Sequence, residues 1–136
     1  MAGKTLESMK SVSIDDIWKY FSTATIIKDF MLKDGYKPTF FQNNQVLATV
    51  WERPSLRTRV SFETGFQALG GGVITLKAYP PGAADIIFKE DVRDQANVLD
   101  SMCDLVMART YSHDTITKLG AAMDIPLING MSDMAH

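Results

Sequence analysis

The sequence has little of several features that mark common classes of protein. It contains one cysteine, Cys103, which cannot form an internal disulfide and favours a reducing compartment, so we expect a cytoplasmic protein. Its 14 Lys and Arg residues do not outnumber its 16 Asp and Glu residues, and the net charge of −2 argues against nucleic acid as a partner. No segment approaches the roughly 18 consecutive apolar residues of a membrane-spanning helix.

The sequence also lacks the motifs of two common kinds of ligand site. No histidine, cysteine and carboxylate residues stand at the spacing of a metal site, so we expect no bound metal. The Gly-x-x-x-x-Gly-Lys-Ser/Thr pattern of a P-loop is missing as well. Residues 1–12 fit neither a signal peptide nor a transit peptide, because they have no apolar core and no arginine-rich pattern. Any phosphate site must therefore be built without a P-loop.

Hydrophobic patterning is what the sequence does contain, and it indicates one α/β domain. The 136 residues suit a single core. Short, continuous apolar runs, which are typical of strands buried on both faces, alternate with helical stripes. The predicted strands are 46–51, 73–76, 105–108 and 126–128, and the predicted helices are 14–31, 58–69, 92–102 and 114–123. We therefore predict a three-layer α/β sandwich in which helices flank a mainly four-stranded parallel sheet.

Four segments should meet at the carboxyl edge of this sheet, where open α/β sheets bind ligands. They are 54–59, the exposed loop 78–87 after the second strand, Arg109, and 130–136. The glycine run 70–72 follows a helix and precedes a strand, so it is interpreted as a helix C-cap and tight turn, not as a dinucleotide-binding fingerprint.

The run 55–59, which reads Ser-Leu-Arg-Thr-Arg, follows a strand and opens a helix. The first turn of a helix presents unpaired amides and the positive end of the helix dipole to an anion. Ser55 and Thr58 add hydroxyl donors, and Arg57 adds a planar fork that can hold two phosphate oxygens. Residue chemistry alone leaves an alternative open, because these arginines could equally be solvated or form structural ion pairs with nearby glutamates.

Four single residues are interpreted from their positions in the predicted fold. An isolated Arg109 would usually be a surface residue, but at the end of the third strand it lies at the ligand edge. His136, at the tip of the fourth strand, could donate a hydrogen bond to a carbonyl oxygen and polarise it. His113 precedes a predicted helix start and is interpreted as a solvated neighbour of the cap. Cys103 is predicted to belong to the core.

Several motifs, in the same order, resemble one family. Residues 51–63, which read WERPSLRTRVSFE, resemble the signature of the aspartate and ornithine carbamoyltransferases, whose core is Ser-Thr-Arg-Thr-Arg. Residues 68–71, 107–109 and 129–136 resemble the family's Leu-Gly-Gly, the strand end that presents a ligand arginine, and the segment before its His-Pro-x-Gln. The similarity extends from about Ser13 to the end of the chain.

The resemblance implies that residues 1–136 form a carbamoyl-phosphate-binding domain that needs no cofactor and no metal. The residues that would bind carbamoyl phosphate are Ser55, Leu56 through its amide, Arg57, Thr58, Arg109 and His136. Arg57, Arg109 and His136 would be catalytic, because they would stabilise charge on the carbamoyl oxygen and the leaving phosphate while an amine attacks the carbamoyl carbon. Leu56 replaces the usual threonine of the signature and so removes one hydroxyl.

Further expectations follow from the same resemblance. Family enzymes carry a second domain that binds the amino-acid acceptor, so we expect this chain to be the amino-terminal part of a longer enzyme, with little or no turnover alone. Residues 52–54 and 132–136 look more like the ornithine branch, which implies ornithine or an ornithine derivative as acceptor and a citrulline-type product, as in arginine biosynthesis. A homotrimer is expected, with Lys89 as a candidate contact to a neighbouring subunit's site.

Three alternatives remain open from the sequence. The chain could belong to the aspartate branch of the family. It could instead be a stand-alone phosphate-binding or regulatory module that catalyses no reaction. It could also be an α/β domain whose arginines serve only stability.

Overall fold

The elements of the chain alternate between helix and strand, as the hydrophobic pattern predicts. The structure, a computed structural model, describes residues 5–33, 39–41, 44–77 and 91–135. Within these ranges a short 3-10 helix, Met9–Ser11, precedes the regular elements. These are α1 (Ile14–Lys33), β1 (Val46–Trp51), α2 (Leu56–Ala68), β2 (Gly72–Lys77), α3 (Val92–Met102), β3 (Leu105–Arg109), α4 (His113–Ala122) and β4 (Leu127–Asn129). The predicted loop 78–87 lies outside the described residues.

All four of these strands belong to one parallel sheet, in the order β2-β1-β3-β4. The register places Trp51 beside both Lys77 and Arg109. It also places Ala108 beside Asn129. The carboxyl ends of the strands therefore lie next to one another, and the predicted α/β sandwich around a four-stranded parallel sheet is confirmed.

The sheet has a separate hydrophobic core on each face. Helices α3 and α4 cover one face, called the α3/α4 face, and α2 packs on the other, called the α2 face. The buried core residues of the α3/α4 face are Ala48, Val50, Ala96, Leu99, Cys103, Val106, Ala108, Ile116, Leu119, Met123 and Leu127. Those of the α2 face are Leu47, Trp51, Phe66 and Met107. Because consecutive strand residues point to opposite faces, strands covered on both sides consist of continuous apolar runs.

Both ends of α2 follow from local sequence chemistry. The helix begins at Leu56, earlier than the predicted start at Thr58, because Ser55 takes the extended conformation of an N-cap residue, with a φ of −157°. After the helix, Gly70 has a φ of 94°, a conformation that favours glycine. The predicted termination of this helix by the glycine run is therefore confirmed.

Helix α1 differs from α2, α3 and α4 because none of its residues is buried. Its exposed large side chains include Ile14, Trp18, Phe21, Phe30 and Leu32. The apolar stripe that predicts this helix therefore lies largely uncovered in the described part of the chain. No helix in the described ranges is both long enough and apolar enough to span a membrane.

Candidate active site

The start of α2 places two hydroxyl groups at the carboxyl edge of the sheet. The Ser55 hydroxyl donates a hydrogen bond to the Thr58 hydroxyl, with 3.0 Å between the oxygen atoms. The Ser55 side chain does not cap the first-turn amides, and Leu56 and Arg57 are exposed in the same turn. Amides at this end of a helix lie at the positive end of its dipole and can bind an anion. The groups predicted from the signature run therefore lie together in one helical turn.

Arg109, the last residue of β3, brings a guanidinium to the same helix start. Its Nη1 atom lies 3.5 Å from the Thr58 hydroxyl oxygen and donates a hydrogen bond of 3.2 Å to the carbonyl oxygen of Gly130. Its Nε atom is buried and has no hydrogen-bond partner among the described residues. Buried N–H donors normally have an acceptor, but Trp51 Nε1 and Arg53 Nε are in the same state, so this atom does not by itself mark a ligand site. The fold thus brings Arg109 and Thr58 together although they are far apart in sequence.

The loop after β4 forms a third side of the site. The buried Asn129 side chain donates hydrogen bonds to the carbonyl oxygens of Glu7 and Ala135, at 2.9 and 3.0 Å. Its carbonyl oxygen accepts a hydrogen bond of 3.0 Å from the Met131 backbone N–H. Local sequence reasoning missed Asn129, and the signal that could have marked it is a polar residue at the end of an otherwise apolar strand.

An open groove of about 430 Å³ lies between these elements. The residues that line it are Arg57, Thr58, Ser61, Phe62, Asn129 and Gly130. A cavity of similar size, about 450 Å³, lies at the amino end of the sheet beside Leu105 and Pro126, and its lining is largely apolar. Volume therefore does not identify the site. The arginines and hydroxyl groups at the carboxyl edge identify it.

Two other arginines near the helix start have structural contacts. The Nε atom of Arg59 lies 2.9 Å from a carboxylate oxygen of Glu63. The guanidinium of Arg53 stacks over the Tyr111 ring, 4.6 Å from its centroid. Within the described part of the chain, Arg57 forms no ion pair. The structural ion pair that the sequence left open is therefore made by Arg59, and Arg57 is the arginine of this run that is available to a ligand.

The prediction that His113 is solvated is wrong. Its side chain is only 18% exposed, and its Nδ1 atom lies 2.9 Å from the Ser132 hydroxyl oxygen. Its backbone N–H donates to the Asp133 carboxylate at 2.7 Å. The loop after β4 contacts the start of α4, and a local pattern does not report such a contact between distant segments. Two other predicted site residues, His136 and Lys89, lie outside the described residues.

This geometry defines a class of protein. A parallel α/β sheet carries at its carboxyl edge a helix start, two hydroxyl groups and an arginine from a neighbouring strand, which together suit an anion such as phosphate. The family described as aspartate/ornithine carbamoyltransferase, carbamoyl-P binding domain, matches residues 4–136. The chain belongs to this family, and the resemblance seen in its motifs is confirmed.

Curated relatives agree with this assignment. The chain is 35% identical over 138 residues to the anabolic ornithine carbamoyltransferase of Pyrococcus furiosus, an alignment that covers 100% of this chain and 42% of the relative. It is 41% identical over 127 residues to the putrescine carbamoyltransferase of Mycoplasma capricolum, covering 93% of this chain and 33% of the relative. The chain therefore spans less than half the length of these relatives, which are carbamoyltransferases and thus enzymes.

Solved structures share the fold over nearly the whole chain. The ornithine carbamoyltransferase from Pyrococcus furiosus superposes with a TM-score of 0.86 at 35% identity, covering 99% of this chain and 42% of that structure. The catalytic subunit of the aspartate transcarbamoylase from M. jannaschii superposes with a TM-score of 0.82 at 27% identity, covering 98% of this chain and 42% of that structure. Ornithine and aspartate enzymes therefore share this domain fold.

Proposed function

We propose that this chain binds carbamoyl phosphate and serves a carbamoyltransferase that moves the carbamoyl group to the amine of an amino acid, releasing phosphate. The observation that carries the proposal is the meeting of the Arg109 guanidinium with the Thr58 hydroxyl at the start of α2. The family assignment, whose description names carbamoyl phosphate binding, supports the same ligand.

The proposed binding mode divides the ligand between the two elements. The phosphate lies against the first turn of α2, where the amides, the two hydroxyls and the Arg57 fork supply donors of the right sign and geometry. Arg109 lies between the phosphate and the carbamoyl oxygen. A guanidinium held in this position stabilises the charge that develops on the oxygen during attack.

The proposed acceptor is ornithine or an ornithine derivative. Relatives whose names contain ornithine carbamoyltransferase recur among the similar proteins, whereas the aspartate enzyme appears as a structural neighbour and the putrescine enzyme as a sequence relative. The domain fold does not indicate which acceptor is used, since enzymes named for ornithine and for aspartate share it. The acceptor is therefore tested by product formation with ornithine compared with aspartate, measured on the longer enzyme that contains this domain and not on residues 1–136 alone.

The remaining expectations from the sequence belong to this proposal. Residues 1–136 act as the carbamoyl-phosphate-binding domain, and the acceptor is bound by a second domain of a longer enzyme. His136 binds the carbamoyl oxygen beside Arg109, and Lys89 reaches the site of a neighbouring subunit in a homotrimer. The enzyme works in the cytoplasm, in arginine biosynthesis, without a cofactor or metal.

Calorimetric titration of this chain with carbamoyl phosphate and with inorganic phosphate tests the proposal. We expect binding of carbamoyl phosphate to weaken at least about tenfold in Arg57→Ala and in Arg109→Ala, since a hydrogen bond to a charged group contributes about 1.5–3 kcal/mol. Arg93→Ala is the matched control, because Arg93 is exposed at the start of α3, beside the last turn of α4. It should bind as the parent chain does.

Other results of this titration point elsewhere. Equal affinity for carbamoyl phosphate and inorganic phosphate would favour a phosphate-binding module. No heat with either ligand, or unchanged affinity in Arg57→Ala, would leave the arginines with a role in stability alone.

A further inference from the structure

We propose that Asn129 is a positioning residue of this site. It holds the backbone of residues 130–135 in one conformation, and through the Gly130 carbonyl it sets the position of the Arg109 guanidinium. This inference rests on the proposed function, because the guanidinium matters as a ligand for carbamoyl phosphate.

The Asn129 side chain has its hydrogen-bonding capacity occupied inside the protein. The residue is 7% exposed. Its Nδ2 atom donates to the carbonyl oxygens of Glu7 and Ala135, and it lies 3.3 Å from the Ser132 hydroxyl oxygen. Its Oδ1 atom accepts from the Met131 N–H. A side-chain amide offers two N–H donors and one carbonyl acceptor, so this amide ties together the amino-terminal segment and both ends of the loop.

The loop depends on these hydrogen bonds because its backbone is not in a locally preferred conformation. Met131 has a φ of 117°, a region that residues with a side chain rarely adopt. Such a conformation persists only where surrounding contacts enforce it. The hydrogen bond from the Met131 N–H to Asn129 is one of these contacts, and another joins the Met131 carbonyl to the Thr110 N–H at 3.1 Å.

The conformation of the loop in turn sets Arg109. The Gly130 carbonyl accepts from Arg109 Nη1 at 3.2 Å, and the Gly130 N–H donates to the Ala108 carbonyl at 2.8 Å. A Cβ atom on residue 130 would lie 2.3 Å from the sulfur of the buried Met107 side chain, so a larger residue here would displace that side chain. If the loop relaxes, the carbonyl that orients the guanidinium moves with it. Misplacement of a binding group by about 1 Å is enough to weaken a site by orders of magnitude.

The test compares two substitutions in β4. Asn129→Ala removes all the side-chain hydrogen bonds, and Leu127→Ala removes a fully buried side chain of the same strand without touching the loop. Urea unfolding establishes that each variant is folded at the assay temperature, and calorimetry then measures affinity for carbamoyl phosphate. We expect at least about tenfold weaker binding in Asn129→Ala and a change of no more than about twofold in Leu127→Ala.

A pH series with Asn129→Asp adds a readout that a purely structural role would not move. Aspartate keeps the acceptor for Met131 but, when ionised, presents oxygens to the acceptors of Glu7, Ala135 and Ser132. Protonation restores one donor, so the affinity of this variant relative to the parent at the same pH should recover as the pH falls. Should the variants at 129 fail to fold, Ser132→Ala weakens the same network more gently and should lower affinity about threefold.

The outcomes separate this inference from the function on which it rests. If the parent chain binds carbamoyl phosphate and the variants at 129 and 132 bind equally well, the positioning role is wrong and the proposed function stands. Equal losses of affinity in Asn129→Ala and Leu127→Ala would likewise show that Asn129 contributes only to stability. If the parent chain does not bind carbamoyl phosphate, the proposed function fails and the inference fails with it.

Discussion

The two faces of the sheet differ in the size of their buried cores and in their relation to the candidate site. The α3/α4 face has the larger buried core and is covered by two helices, whereas the α2 face has a smaller core that is covered mainly by α2. The candidate site lies on the α2 face, where Arg109 meets Thr58 at the helix start. A ligand site needs open, polar space that a packed core cannot provide. The α3/α4 face therefore has the larger buried apolar core, and the candidate site lies on the other face.

Polar contacts partly replace apolar packing on the α2 face. One carboxylate oxygen of Glu63 accepts hydrogen bonds from Arg59 Nε at 2.9 Å and from the Thr75 hydroxyl at 2.8 Å, and it lies 3.4 Å from the Thr49 hydroxyl. This half-buried cluster joins α2 to β1 and β2. It therefore holds the helix whose first turn forms the candidate site, although Phe66 is the only buried side chain of that helix.

The largest expected effect is on the α3/α4 face. Leu119→Ala, at a residue that is 1% exposed, should lower the free energy of unfolding by about 2–5 kcal/mol, because it removes buried apolar area and leaves a cavity. Leu32→Ala on α1, where the residue is 72% exposed, is the matched control and should change it by no more than about 0.5 kcal/mol. Urea unfolding of both variants measures the difference. Similar losses at the two positions would contradict the importance of core burial at Leu119.

An intermediate effect is expected from the polar cluster on the α2 face. Glu63→Gln keeps the shape of the side chain but removes the charge that pairs with Arg59, so it should lower the free energy of unfolding by about 0.5–1.5 kcal/mol. Asp29→Asn, an acid-to-amide change at an exposed position of α1, should change it by less than about 0.5 kcal/mol. Urea unfolding checks both. If Glu63→Gln is neutral, the cluster does not hold α2 on the sheet.

The smallest effect concerns Cys103, which the structure buries in the α3/α4 face as predicted. Burial raises the pKa of its thiol above the ordinary value of 9.0, and the neighbouring Asp104 raises it further. Because the unfolded chain loses this proton at a lower pH than the folded chain, ionisation of the thiol favours unfolding as the pH rises past 9.0. The urea midpoint should fall more from about pH 8 to about pH 10 in the parent than in Cys103→Ala. Parallel declines would show that the thiol does not contribute.

Much of the fold could be predicted because the strands are buried on both faces. Strand β1 was predicted at 46–51 and spans those residues, since each position needs an apolar or small side chain whichever face it meets. Strand β4 was predicted to end at Ile128, yet it includes Asn129. Apolar patterning ends the strand before this residue because its side chain is polar, and its amide is satisfied by the carbonyl groups of Glu7 and Ala135. The roles of His136 and Lys89 stay predictions.

Two questions about residues around the site could be answered only from the tertiary structure. The i,i+4 spacing of Arg59 and Glu63 permits an ion pair on a helix. The same spacing is also compatible with a solvated Arg59 side chain, so the sequence left both possibilities open. His113 was interpreted from its place before a predicted helix, whereas its environment is made by Ser132 and Asp133 in a loop far along the chain. The local sequence therefore contains the partner of Arg59 without showing that the pair forms, and it does not contain the partners of His113.

The amino-acid sequence by itself determined the alternation of strands and helices, the position of the run 55–59 between a strand and a helix, and the family. These depend on short-range pattern: the spacing of apolar residues, the chemistry of a helix start and a string of motifs. Only the tertiary structure decided that Arg109 reaches that helix start, that Arg59 is structural, and that Asn129 holds the loop beside them. The physical reason is that hydrogen bonds and burial act over a few ångströms in space, and the sequence can permit such a contact without showing that it forms.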